Sequence, residues 1–333
     1  MSTLPTARRL DRAHLEAYVR RYLIVLILFG LIGLLAVLTG GTFLQTQNLV
    51  NIVRQVSVIA ITAIGVSVAI IALGIDLSVG SVVALAAVVA ASLAQTMDAT
   101  NLMYPDLVGL PVLVPIAAGL LVGALAGLTN GFLIARFRIA PFIATLGMMS
   151  AARGLALIYS GGRPISALSP DFNWIGQGHV LGIPVPIVLL AVVAVAAHVM
   201  FNHTRFGRYM FAIGGNELAA RVSGINIGRV KIGIYMFSGL LAGLGGMILA
   251  GRIGSGNPQL GTGLELDAIT AAVIGGTSFA GGIGTVWGSI VGALIIGSLN
   301  TGMDLLDVSP FAQQVVKGVI IVVAIIIDER KNR

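Results

Sequence analysis

The chain contains no cysteine, and of its 333 residues only 10% are charged and 6% aromatic. The missing thiol excludes a disulfide scaffold, a thiol nucleophile and any zinc or iron–sulfur site built on cysteine. So little charge excludes an ordinary water-soluble globule, in which about 25% of residues are charged. Catalytic motifs are absent as well. His14, His179, His198 and His203 form no H-E-x-x-H, and no P-loop G-x-x-x-x-G-K-[ST] occurs, so this chain is not expected to hydrolyse nucleotide itself. Gly281-Gly282-Ile283-Gly284 matches part of a dinucleotide fingerprint but follows no strand and opens a hydrophobic helix. The basic residues are not interleaved with aromatics, which argues against nucleic acid as a partner. No catalytic residue, no metal site and no cofactor of this chain's own is expected.

What is present is apolar: 57% hydrophobic residues, 44 glycines without a collagen-like period, and a mean hydropathy of +0.99. That combination predicts an all-α polytopic membrane protein. A crossing helix needs roughly 20 apolar residues, and ten stretches qualify, at about 22–40, 52–74, 77–96, 112–135, 140–160, 183–201, 232–251, 266–280, 284–300 and 311–327. The eighth and ninth are short and meet at Gly281, Gly282 and Gly284, so they are also readable as one bent or re-entrant unit.

Lysine and arginine are spread unevenly over the connections. With ten crossings, one face receives Arg8, Arg9, Arg12, Arg20, Arg21, Arg136, Arg138, Arg205, Arg208, Arg221, Arg229, Lys231, Arg330, Lys331 and Arg333. The other receives only Arg163 and Arg252, while Arg54, Arg153 and Lys317 fall inside apolar stretches. Positive charge stays inside, so both termini are expected in the cytoplasm. The organisation follows as a cytoplasmic segment 1–21, one transmembrane domain 22–327 with a cytoplasmic loop at 202–231, and a cytoplasmic tail 328–333. Residues 8–21 suit a short helix on an anionic leaflet or a solvated leader. No small-x-small cleavage site follows Leu38, so the first stretch reads as an uncleaved anchor.

The halves echo each other. Gly119–Phe142 and Gly288–Phe311 share V-G-A-L and a terminal P-F at one offset, with Asn130 and Asn300 late in each helix and one position out of register. Upstream, Gly74-Ile75-Asp76-Leu77 loosely matches Gly263-Leu264-Glu265-Leu266. Five crossings per half would insert the halves in opposite senses, giving two inverted five-helix repeats, as in many transporters; chance similarity among Gly/Ala/Val-rich helices is the alternative. Gly119, Gly123, Gly127 and Gly131 make a ridge for close helix packing, repeated by Gly239 and Gly243.

Polar groups within apolar stretches are costly and point to function. Asp76, Ser78, Asn130, Asp267, Asn300, Gln313 and Lys317 are candidates for a translocation route. Asp76, Ser78 and Asp267 also read as helix N-caps, and Lys317 as snorkelling to the outer interface. A neutral sugar suits such a route, since it needs hydrogen bonds and no matching charge. In the loop 202–231, Asn216 as cap, Glu217 to Arg221 as helix former and Gly224 as stop predict a short helix. A helix so small buries little on its own chain and is expected to dock a partner.

Four stretches carry a family resemblance: T-R-F-G-R-x(3)-A-I-G-G-N-x-x-A-A-R-x-S-G-I (Thr204–Ile225), G-I-D-L-S-V-G (Gly74–Gly80), P-F-I-A-T-L-G-M-M-S-A-A-R-G (Pro141–Gly154) and E-L-D-A-I-T-A-A-V-I-G-G-T-S-F-A-G-G-I-G-T-V (Glu265–Val286). From about residue 45 onward the chain resembles monosaccharide ABC-transporter permeases, with N-T-G-M-D-L-L (Asn300–Leu306) and Q-Q-V-V-K-G (Gln313–Gly318) closest to the xylose and galactose branches. The resemblance implies a dimer with a second permease copy, ATP-binding subunits, carrying ATP and Mg, on the cytoplasmic face, and a periplasmic or lipid-tethered sugar-binding protein on the outer face. It implies residence in the bacterial inner membrane and a coupling role for Gly214, Asn216, Glu217, Ala219, Ala220, Arg221 and Gly224. No I-x-L-P follows Gly224, a departure from the coupling loop of other ABC importers. Permeases for nucleosides or branched-chain amino acids, and an ion-driven secondary transporter, are the alternatives.

Overall fold

The computed structural model describes residues 24–331. The expected interfacial helix at 8–21 and the last two residues of the tail lie outside the described residues. The apolar stretches become helices α1 (Ile24–Leu38), α2 (Thr46–Ile71), α3 (Val79–Leu93), α4 (Leu113–Phe137), α5 (Pro141–Ser160), α7 (Val185–His203), α10 (Ile227–Ile253), α11 (Leu264–Ile274), α12 (Val286–Leu305) and α13 (Pro310–Lys331). Among them α2, α4, α5, α7, α10 and α12 are long and apolar enough to cross a membrane. At 1.5 Å per residue, α3 reaches only about 22 Å, short of the roughly 30 Å hydrocarbon layer.

Four elements differ from the sequence reading. The eighth stretch was expected to run to 280, but α11 stops at Ile274. Gly276, Gly281 and Gly282 take positive φ beyond it, where a helix cannot continue. The loop 202–231 shrinks, because α7 extends to His203 and α10 begins at Ile227, and an additional helix, α8 (Arg205–Gly215), precedes α9 (Glu217–Val222). Thr204 caps α8 by accepting the Gly207 N–H at 3.1 Å. Between α5 and α7 lies α6 (Pro170–Gln177), capped by Ser169. The tail expected from 328 is largely continuous with α13.

Two helices form the centre. α10 packs along α4, α3 and α2, and α2 packs along α12, α11 and α10. From Val56 to Ala72 every residue of α2 and its cap is buried, as a helix apolar on all sides is; the polar exceptions Ser57, Thr62 and Ser67 donate their hydroxyls to carbonyls of the preceding turn. The glycine ridge has the place its spacing predicts. A Cβ at Gly123 would strike Gly239 and Gly243, one at Gly127 the backbone of Tyr235 and Met236, and one at Gly131 the backbone of Ile232. Around this centre, α4, α7 and α13 turn Leu121, Leu125, Val192, Val195, Val315 and Val319 outward.

Candidate functional site

Two polar clusters sit in the apolar interior. The first lies in the break between α2 and α3. There Asp76 Oδ1 accepts the Ser78 N–H at 3.0 Å and the Ser78 hydroxyl at 2.6 Å. Asp76 Oδ2 accepts the hydroxyl of Ser238, from α10, at 2.8 Å, and Asn130 of α4 donates its amide to Ser78 Oγ at 3.0 Å. The capping readings of Asp76 and Ser78 are corrected: the cap position of α3 is Ser78, which makes no side-chain cap bond, and Asp76, two residues earlier, holds the Ser78 N–H and a distant helix instead. All four side chains are buried. Ser238 was not foreseen, because a single serine in a glycine-rich helix carries no sequence signal.

The second cluster lies in the first turn of α11. Asn300 of α12 donates its amide to Asp267 Oδ2 at 3.1 Å, and the Lys317 ammonium of α13 bridges both carboxylate oxygens at 3.0 Å. The capping reading of Asp267 is corrected: its oxygens serve two distant side chains, and the cap position Gly263 makes no side-chain bond. Snorkelling of Lys317 is corrected for the same reason, since its charge is neutralised in place. Gln313 is elsewhere, donating to Asp304 Oδ1 at 2.8 Å and Val308 O at 3.0 Å in the turn between α12 and α13. Asn130 and Asn300 each keep a buried Oδ1 with no donor.

Asp267 also lines a cleft of about 430 Å³ with Gln55, Arg252 and Thr262, over an apolar floor that includes Val58, Ile59 and Leu249. The two clusters approach each other at the start of α3: a Cβ at Gly80, two residues after Ser78, would strike Glu265, two residues before Asp267, and the carbonyl of Gly261, which lines the same cleft. The cleft's volume falls within the 300–1,000 Å³ usual for small-molecule sites. Its polar residues had no place in the sequence list, because Gln55, Arg252 and Thr262 come together only when α2, α10 and α11 pack. Arg54 and Arg153 serve structure: Arg54 meets His179 Nε2 at 3.1 Å, and Arg153 donates to the carbonyls of Pro258 and Leu260.

The short helix expected after Asn216 is α9. Asn216 Oδ1 accepts the Ala219 N–H at 2.9 Å. At the other end Gly224, at φ 83°, lets the Ile225 N–H reach Ala220 O at 3.1 Å and its own N–H reach Arg221 O at 3.0 Å, the paired bonds of a Schellman stop. Glu217 accepts from Arg221 at 3.1 Å and from Lys231 of α10 at 2.8 Å. The bond to Lys231 is the main cause holding its carboxyl below the usual glutamate range, burial opposing it. Gly214 and Ala220 are buried, Gly214 wedged against the Ile71 carbonyl and Gly282, while Ala219, Arg221 and Gly224 are exposed. Leu218 and Val222, one turn apart, are 74% and 86% exposed. The sequence reading singled out neither; together they form a small exposed apolar face on α9.

Known proteins match nearly the whole chain. It is 44% identical over 313 residues to the ribose import permease protein RbsC of Escherichia coli K12, covering 92% of this chain and 93% of that one. RbsC of Bacillus subtilis is 42% identical over 324 residues, 96% of each chain. The galactose/methyl galactoside import permease protein MglC of Haemophilus influenzae is 42% identical over 317 residues, 93% of each. No solved structure gives a significant match. The profile of the branched-chain amino acid transport system / permease component family matches residues 48–325. An all-α chain of long apolar helices with polar clusters buried among them, this protein belongs to that permease family.

Proposed function

We propose that this chain is the membrane-spanning permease subunit of an ATP-driven importer for a monosaccharide of the ribose, galactose or xylose class. The observation that carries the reading is identity above 40% with ribose and galactose import permeases over more than nine-tenths of each chain. The cleft agrees with a neutral polyhydroxyl cargo: it offers an amide, a hydroxyl and a guanidinium, and its carboxylate is already neutralised by Lys317.

In this reading ten segments enter the bacterial inner membrane, six of them long and apolar enough to span it as single helices, both termini are cytoplasmic, and the halves are inverted repeats. The reciprocal packing of α10 on α3 and α4, and of α2 on α11 and α12, supports the repeat, as does a buried acid in each half, Asp267 bonded directly to Asn300 and Asp76 linked to Asn130 through Ser78. A second permease copy completes the pathway, and a periplasmic or lipid-tethered binding protein delivers sugar to the cleft. ATP-binding subunits, which hold ATP and Mg and carry out hydrolysis, dock on α9. The Asp267 and Asp76 clusters are successive polar stations across the apolar interior. The family's own description favours a second reading, a branched-chain amino acid as cargo.

Purification in mild detergent from native membranes, with uptake of labelled ribose, galactose, xylose and leucine, tests this reading. An ATP-binding subunit retained by wild type and lost from a Glu217→Gln plus Gly224→Ala double variant, with sugar uptake, is the expected result. Leucine uptake without sugar uptake moves the cargo to the second reading. An uptake driven by an ion gradient, with no ATP-binding subunit, overturns the proposal.

A further inference from the structure

Lys231, Tyr235 and Ser238 stand on α10 at spacings of four and three, which places them on one face of the helix. Each meets a different functional element. Lys231 Nζ donates to Glu217 of α9 at 2.8 Å. The Tyr235 hydroxyl fills the space where a side chain at Gly74 would stand, in the break between α2 and α3. Ser238 donates to Asp76 at 2.8 Å. Seven residues separate the ends of this stripe, or about 10.5 Å, so one rigid length of helix joins the exposed α9 to the first polar cluster.

The α4 helix strengthens the connection. It lies against α10 along a seam where Gly123 and Gly127 meet the backbone of Gly239, Gly243 and Tyr235. Backbones this close cannot slide without rising over one another, so α4 and α10 move together. α4 also carries Asn130, which donates to Ser78. The Asp76–Ser78 segment is thus held by both helices of one body, and the Glu217–Lys231 pair ties that body to α9.

The geometry points to a relay in which Lys231 is a positioning residue. Displacement of α9 by a partner passes through Glu217 and Lys231 to α10, and through Tyr235 and Ser238 to the α2–α3 break that closes the route at Asp76. This rests on the permease reading above and adds to it the path by which docking is felt in the interior. A lone surface ion pair contributes little to stability. Its value here is directional, because Lys231 is the α10 residue bonded to the carboxylate of the docking helix.

The test uses the complete transporter in liposomes, with its ATP-binding subunit and binding protein, and reads sugar imported per ATP hydrolysed. Lys231→Met is expected to retain the ATP-binding subunit and hydrolysis while sugar per ATP falls about tenfold, within the 5–150-fold range of site-to-site coupling. Lys231→Arg keeps the charge and is expected to restore the ratio. Ser238→Ala, which removes one hydroxyl and little else, is expected to lower the ratio in the same sense and guards against misfolding at position 231. An unchanged ratio in both Lys231→Met and Ser238→Ala overturns the relay while leaving the permease reading intact. Loss of the ATP-binding subunit from Lys231→Met also overturns it, making Lys231 a docking residue. A wild-type chain that recruits no ATP-binding subunit overturns the permease reading and the relay together.

Discussion

Lys317, on the final helix, places its ammonium 3.0 Å from both carboxylate oxygens of Asp267, fifty residues earlier in the first turn of α11. The pair brings α13, whose other face is largely exposed, against a short helix lining the cleft. Removing one member of a buried pair costs more than removing both, because the survivor's charge is stranded. Lys317→Met is therefore expected to lower thermal stability in detergent by the equivalent of about 3 kcal/mol. The double variant Asp267→Asn plus Lys317→Met should regain most of that loss. Equal melting temperatures for the single and double variants would show that the pair contributes no coupling.

The glycine seam makes a sharper prediction. Gly127→Val places a side chain against the backbone of Tyr235 and Met236, and overpacking of this kind costs about 1–3 kcal/mol or more. Gly147→Ala and Gly154→Ala, which face open space, should leave stability unchanged. Fluorescence-detected size exclusion after graded heating distinguishes the two groups.

Arg153 gives a third test. Its guanidinium donates to the carbonyls of Pro258 and Leu260, fastening α5 to the connection before α11. Hydrogen bonds from charged groups contribute about 1.5–3 kcal/mol each. Arg153→Met should accordingly increase proteolysis and hydrogen exchange within residues 255–263 more than elsewhere. Uniform exchange along the chain would count against the tether.

Acidification reports on Glu217. Its folded carboxyl titrates below the ordinary glutamate value, first because Lys231 donates to it. Stability from this pair is fully present above the unfolded value of about 4.3 and is lost as pH falls through the lower folded value. The melting-temperature difference between wild type and Glu217→Gln should be constant from neutral pH to about 5 and shrink only below about 4. A difference that vanishes near pH 6 would assign the effect to another group.

Leu218 and Val222 are the residues whose loss should be felt outside the chain. Replacing both with serine is expected to leave folding unchanged and to weaken retention of an ATP-binding subunit, as loss of apolar anchors at an interface costs about 1–2 kcal/mol or more each. Co-purification across a range of detergent washes measures this. Full retention would move the docking surface to the neighbouring cleft lined by Arg138, Arg221 and Lys231.

Sequence alone determined the features whose causes lie within a few residues. Hydropathy placed the apolar helices because lipid demands length and apolarity in each segment. Asn216 and Gly224 bounded α9 because a cap and a stop act on the adjacent turn, and glycines four residues apart marked the α4–α10 seam because helical spacing alone aligns them. The resemblance over nearly the whole chain carried the permease family. Tertiary structure decided what depends on partners far along the chain. It gave Asp267 to Lys317 and Asn300, turned Gln313 away into a helix turn, recruited Ser238 to Asp76 across 162 residues, and assembled Gln55, Arg252 and Thr262 around one cleft. These contacts follow from how helices pack against one another, and no local pattern specifies which buried polar group will face which.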